Sequence, residues 1–173
     1  MSLEPLLRAS PVIQVHAICA ILAFVLGAVQ LFRRKGDPVH RGLGAVWVGL
    51  MAAVAGSGLF IWTIRVWGPF SPIHLLSILT LALLWRGVDA ARRHDVDTHL
   101  KTMRATYFFA LIVAGILTFL PGRIMYHVAF GPAGATPLKL AAFAAAAVGL
   151  AFLAILMMRW RATEQGQAFV ATH

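Results

Sequence analysis

Five apolar runs dominate this sequence and dictate its solvent: Pro11 to Phe32, Leu43 to Ile64, Ser71 to Trp85, Ala105 to Leu120 and Leu138 to Met158. Crossing a bilayer takes about 20 apolar residues at about 1.5 Å rise each. The third and fourth runs reach that length through polar flanks whose long side chains snorkel outward. Only 12% of the 173 residues are charged against 60% apolar, too little charge to cover the surface of a soluble domain of this size. The expected architecture is an all-α integral membrane protein: a four-helix up-down transmembrane bundle plus a peripheral fifth transmembrane helix. A single domain covers residues 1–173, with spans near 11–32, 42–65, 71–91, 97–121 and 138–160.

Local signals mark the breaks. Gly36 and Pro38 end the first span within the basic stretch that starts at Arg33. Ser71-Pro72 reads as a helix start, serine as N-cap and proline in the first turn. Asp95 and Asp97 offer caps ahead of the fourth span, and Pro121-Gly122 closes it. The stretch from Arg123 to Phe130 suits a short interfacial segment. The first run is too long for a signal-peptide core and lacks a cleavage site after it, so it is expected to be retained. Cys19, the one cysteine, lies inside that run and reads as a packing residue.

The formal charge of +9 does not point to nucleic acid, because the basic residues cluster in short loops between apolar runs. One side carries Arg33, Arg34, Lys35, Arg41, Arg86, Arg92, Arg93, Lys101, Arg104, Arg159 and Arg161. The other carries Arg8, Arg65, Arg123 and Lys139. The positive-inside rule then places the amino terminus outside and the carboxy terminus in the cytoplasm. The tryptophans mostly fall near span ends, as an aromatic belt does.

No Asp, Glu, Lys or Arg lies near the centre of a span, which argues against an ion-coupled transporter or pump. Hydrolytic chemistry is equally poorly supplied. Histidine remains. His16 and His74 fall near the outer ends of the first and third spans; His40 and His99 begin the second and fourth from the cytoplasmic side. Alternate helices of an up-down bundle face each other diagonally across the core. Two imidazoles so placed could bind a haem iron on either face of the macrocycle, giving an outer pair, His16 with His74, and an inner pair, His40 with His99. Arg41 and Arg104 flank the inner pair, and Arg65 and Arg123 the outer, where guanidinium groups could hold propionates. The bland alternative is that all four histidines are interfacial residues capping amides or meeting headgroups. His94 and His173 read as solvated and His127 as interfacial, with a quinone or haem edge as its other use.

Helical phase divides the first two spans. His16, Ala20, Ala23, Gly27 and Gln30 share one stripe, open either to a flat ligand or to close helix packing. In the second span the small stripe Gly42, Ala45, Gly49, Ala52 and Gly56 points roughly opposite to His40, whose own face holds Gly44, Trp47, Met51 and Gly58. Which of these faces the core stays open in the sequence.

Several motifs carry a resemblance. They are His16; Lys35-Gly36 followed by His40-Arg41-Gly42-Leu43-Gly44; Ser71-Pro72-Ile73-His74; Arg92-Arg93-His94-Asp95-Val96-Asp97-Thr98-His99; and Leu120-Pro121-Gly122-Arg123-Ile124-Met125. Through them the chain resembles the bacterial membrane-protein family catalogued as domain of unknown function twenty-three-oh-six, over roughly residues 10–131. That resemblance implies a multi-pass protein of the bacterial inner membrane and no stated activity. More loosely the chain is similar to transmembrane di-haem b-type cytochromes, from which it departs in setting its histidines close to helix ends.

The expected function is transmembrane electron transfer through two haem b groups, with quinol as a candidate partner; the chain would be at most an oxidoreductase component. The alternatives are a haem-free accessory or scaffold subunit, or a single quinone or metal site using one pair. Besides the lipid bilayer, a redox partner or further membrane subunits would meet the fifth span, where Ala142 to Ala147 include small residues that permit close approach.

Overall fold

A computed structural model describes residues 2–62, 68, 71–131, 136, 141 and 144–145. Its elements are helical: α1 (Glu4–Leu7), α2 (Pro11–Phe32), α3 (Pro38–Gly58), α4 (Pro72–Arg92), α5 (Val96–Leu117) and α6 (Ile124–Phe130). The fifth span expected at 138–160 lies outside the described residues except for 141 and 144–145.

Four of these helices, α2 to α5, are long and apolar enough to cross a membrane. At about 1.5 Å per residue the 22 residues of α2 reach about 33 Å, against a hydrocarbon core of about 30 Å. Val15, Ile18, Leu22, Val25 and Val29 of α2 are all exposed on the monomer, and in lipid that exposure costs nothing. A helix is also the conformation that satisfies its own amides where water is absent.

Proline and a capping residue start three of the spans: Ser10-Pro11, Asp37-Pro38 and Ser71-Pro72. Proline at the first helical position gives up an amide that has no partner anyway. The second span begins earlier than the apolar run alone suggests, at Pro38, because the Asp37 carboxylate accepts the His40 amide at 2.6 Å. It also ends sooner, at Gly58, where the chain tightens into a turn through Leu59 and Phe60. Asp95 caps α5 by accepting the Thr98 amide at 3.1 Å. Helix α5 ends at Leu117 rather than near 121, with the Thr118 hydroxyl donating to the Gly115 carbonyl.

Consecutive spans pack side by side, α2 on α3, α3 on α4 and α4 on α5, and the ring closes where the middle of α5 returns to α2. That middle, Tyr107–Val113, winds as a π-helix. The core gathers Ala23, Trp47, Met51, Leu84, Tyr107 and Leu111, drawn from all four spans. Ala23 and Gly27 are the buried residues of α2, so its small stripe is a packing face. Trp47 and Tyr107 fill the space: a Cβ on Gly27 would come within 2.6 Å of the Trp47 Nε1 and 2.5 Å of the Tyr107 ring. Each aromatic also donates to an α2 carbonyl, Trp47 Nε1 to Ala23 at 2.9 Å and Tyr107 Oη to Phe24 at 3.1 Å.

The open question in α3 is resolved the same way. Trp47, Met51, Val54, Ala55 and Gly58 are its buried residues, so the face shared with His40 is the core face. On the opposite stripe Gly42, Gly49 and Gly56 have nothing within 4 Å of where a Cβ would stand. At the end where α2 begins, α1 and α6 pack together, joined by the Ser2 amide to the Val128 carbonyl at 3.2 Å.

Candidate functional site

Helix α3 presents His40 in its first turn, held by the Asp37 cap. Helix α2 reaches it from the side through Gln30. The Gln30 Nε2 donates to the His40 carbonyl at 2.9 Å, and the His40 Nδ1 stands 3.1 Å from the Gln30 Oε1. Since the amide nitrogen is engaged by the carbonyl, the oxygen faces the ring, and the Nδ1 must donate. Gly44 leaves room for this amide, a Cβ there lying 3.2 Å from the Gln30 Nε2.

His99 sits in the second turn of α5, beside α4. Its Nδ1 lies 2.8 Å from the carbonyl of Gly87, which can only accept, so this nitrogen also donates. Gly87 allows α4 and α5 to approach closely, for a Cβ there would collide with the Met103 methyl. Lys35, His99, Asp37 and Arg33 are the charged or titratable groups that bear on His40. The two histidines at the basic end therefore belong to one neighbourhood.

Outside the spans, the Asp37 carboxyl is held below the ordinary carboxylate range, chiefly by the His40 amide and then by Arg33. The Asp95 carboxyl is held down by the Thr98 hydroxyl and amide. Both caps are consequently ionised at neutral pH, where their negative charge complements the helix N-termini.

At the opposite end of the bundle the two histidines differ. His16 on α2 places its Nδ1 3.0 Å from the Ser57 Oγ on α3. The Ser57 Oγ also lies 2.6 Å from the Ala53 carbonyl and 3.0 Å from the Val54 carbonyl, so its one hydrogen has three acceptors in reach, and His16 donates when that hydrogen points to a carbonyl. His74 has the reverse arrangement. Its Nδ1 accepts the backbone amide of Ser71 at 3.2 Å, completing a capping box at the start of α4. The ring is 4% exposed and tilts against Trp62 with centroids 5.1 Å apart. His16 lies beside the crossing of α3 on α4, where a Cβ on Gly58 would lie 2.6 Å from the Ser77 Oγ and 3.7 Å from the His16 Cε1. Ser77 is one turn beyond His74.

A histidine whose Nδ1 proton is fixed by a hydrogen bond carries its lone pair on Nε2, the tautomer that metal-ligating histidines use. His40 and His99 meet that condition, His16 meets it when the Ser57 hydroxyl points to a backbone carbonyl, and His74 does not while it caps Ser71. Arg104 and Arg123 are half-buried and Arg41 is exposed; none is ion-paired among the described residues. Arg65 and His173 lie outside the described residues, and His94 and His127 are exposed. No group of three or more His, Cys, Asp or Glu is gathered for a metal ion among the described residues.

The model of the family described as Predicted membrane protein (DUF2306) matches residues 13–160. The chain belongs to this family. DUF2306 membership covers all four described spans and the motifs holding His16, His40, His74 and His99. No curated protein and no solved structure matches this DUF2306 chain.

The sequence singled out the four histidines but missed the residues that orient them. Gln30 carried the clearer signal, a polar side chain on the His16 stripe. Ser57 gave a weaker one, a hydroxyl beside Gly58. The Gly87 carbonyl, being backbone, gave none.

Proposed function

We propose that this chain carries electrons across the bacterial inner membrane as a b-type haem protein, with His40 and His99 as the best-founded axial pair. The observation that carries this reading is the preset tautomer: both rings give their Nδ1 proton to a fixed oxygen on a neighbouring helix, leaving Nε2 as the base. A haem iron held between two imidazoles exchanges single electrons. Arg104 and Arg41, at the same end and without described carboxylate partners, suit the propionates. The second haem is assigned to His16 and His74. His16 takes the ligand tautomer when the Ser57 hydroxyl points to a backbone carbonyl, whereas His74 must first release the Ser71 amide, so the two ends differ in readiness. Quinol is the candidate electron donor or acceptor. With the positive-inside rule, His40 and His99 lie at the cytoplasmic face, the amino terminus is outside, and a fifth span over 138–160 brings the carboxy terminus inside.

A haem-free scaffold is the second reading, favoured by a different observation. The Nδ1 bonds of His16 and His99 and the Gln30–His40 bonds each join sequence-adjacent helices, and aromatic side chains pack the mid-bundle. The reduced-minus-oxidised visible spectrum of full-length protein, purified in detergent after expression with ample haem, separates the two. Electron transfer requires sharp b-type bands, halved or abolished in His99→Ala and His40→Ala. Retention of one haem in His74→Ala would assign the remaining chromophore to the cytoplasmic pair. A folded, colourless wild-type protein would sink the haem reading and leave the scaffold.

A further inference from the structure

Along one side of α2, Phe24, Val25, Ala28, Val29, Phe32 and Arg33 line a shallow, open groove that borders the bundle where Phe24 stacks on Tyr107. Five of these are apolar, and the sixth is a guanidinium at the end where the span meets the basic loop. Nine residues separate Phe24 from Arg33, about 14 Å along a helix, close to the roughly 15 Å depth of one leaflet's hydrocarbon. The groove thus has an apolar length and a cationic end matched to half a bilayer.

Arg33 is only partly used by the protein. Its Nη2 meets the Asp37 Oδ2 at 3.1 Å, which ties the guanidinium to the cap of α3. Its Nε is buried and has no hydrogen-bond partner among the described residues. Buried against the protein, that Nε is closed to a ligand, so an oxyanion would meet the guanidinium at its Nη1 N–H groups. Arg34 next to it and Arg41 one loop away are exposed and add positive potential.

We propose that this groove binds one anionic phospholipid, its acyl chain along Phe24 to Phe32 and its headgroup phosphate on Arg33. Charge complementarity selects this occupant. A zwitterionic lipid in the surrounding shell fills the apolar length equally well but gains less from the clustered arginines.

The test uses the full chain in nanodiscs of equal phosphatidylglycerol and phosphatidylcholine, ejected into native mass spectrometry to count retained lipids. The wild type should retain one phosphatidylglycerol per chain, with about tenfold preference over phosphatidylcholine. Arg33→Gln should lose the preference while Arg34→Gln keeps it. Ala28→Phe fills the groove with the charge intact and should reduce phosphatidylglycerol retention; thermal melts confirm that each variant is folded. Equal retention of both lipids would overturn the site. So would an Arg34→Gln loss matching that of Arg33→Gln, the mark of diffuse surface charge, or a lipid-free dimer covering the groove.

Discussion

Gln30 and His40 are joined at two points, the glutamine amide donating to the histidine carbonyl at 2.9 Å and accepting from its Nδ1 at 3.1 Å. One side chain of α2 thereby fixes both the backbone and the ring of a residue on α3. Gln30→Leu preserves bulk and removes both bonds. It should lower stability by about 1–3 kcal/mol, because a carbonyl and a ring N–H lose partners in a half-buried setting. Thermal unfolding in detergent measures this, and no change in midpoint would show that the clamp contributes nothing.

Gly27 and Gly87 are both close-approach positions, yet their substitution should differ in consequence. A Cβ at Gly27 meets two rigid aromatic groups, Tyr107 and Trp47, each hydrogen-bonded to α2. Overpacking of this kind costs about 1–3 kcal/mol. A Cβ at Gly87 meets chiefly the terminal methyl of Met103, which can swing aside. Gly27→Ala should therefore melt well below Gly87→Ala; the reverse order would contradict the packing described.

Tyr107→Phe and Trp47→Phe each delete a donor to an α2 carbonyl while keeping a ring in the core. Within a membrane bundle such interhelical bonds are worth about 0.6–1.7 kcal/mol. The Trp47 variant also loses ring volume and should be the less stable of the two. Both rings crowd Gly27, so the double variant should depart from the sum of the two single effects, and simple additivity would show that the two bonds act independently.

Acid should loosen the basic end first. The Asp37 and Asp95 carboxyls are depressed by hydrogen bonds made in the folded state, so their contribution is fully present above the unfolded carboxylate value of about 4. It is lost as pH falls through their lower folded values. Titrating stability from pH 5 to 3 should reveal a slope that flattens in the Asp37→Asn, Asp95→Asn double variant, since asparagine still caps but does not ionise. Identical acid slopes in the two proteins would exclude these caps as the cause.

Much of this molecule is readable from hydropathy and capping residues. The apolar run from Pro11 and the Ser71-Pro72 start name the helices they begin, because proline and serine act through local backbone chemistry. The earlier start of α3 was less legible: Asp37 lies in a basic loop and looks like part of it. The π-helical turn at Tyr107–Val113 left no mark in the apolar pattern, since it arises where α5 closes on α2. Among the histidines, position was visible and tautomer was not. A hydrogen bond from His99 to the Gly87 carbonyl depends on two helices meeting, and sequence spacing carries no record of it.

The paired bonds from Trp47 and Tyr107 fall on consecutive carbonyls, Ala23 and Phe24, near the middle of α2. The same helix is tied to α3 near each end as well, by His16 to Ser57 and by Gln30 to His40. A rod pinned at three levels neither rocks nor slides alone, and sliding by a turn would tear every fastening loose and drive bulkier residues into the slot that Gly27 leaves open. Any motion that α2 makes across the membrane accordingly carries α3 with it.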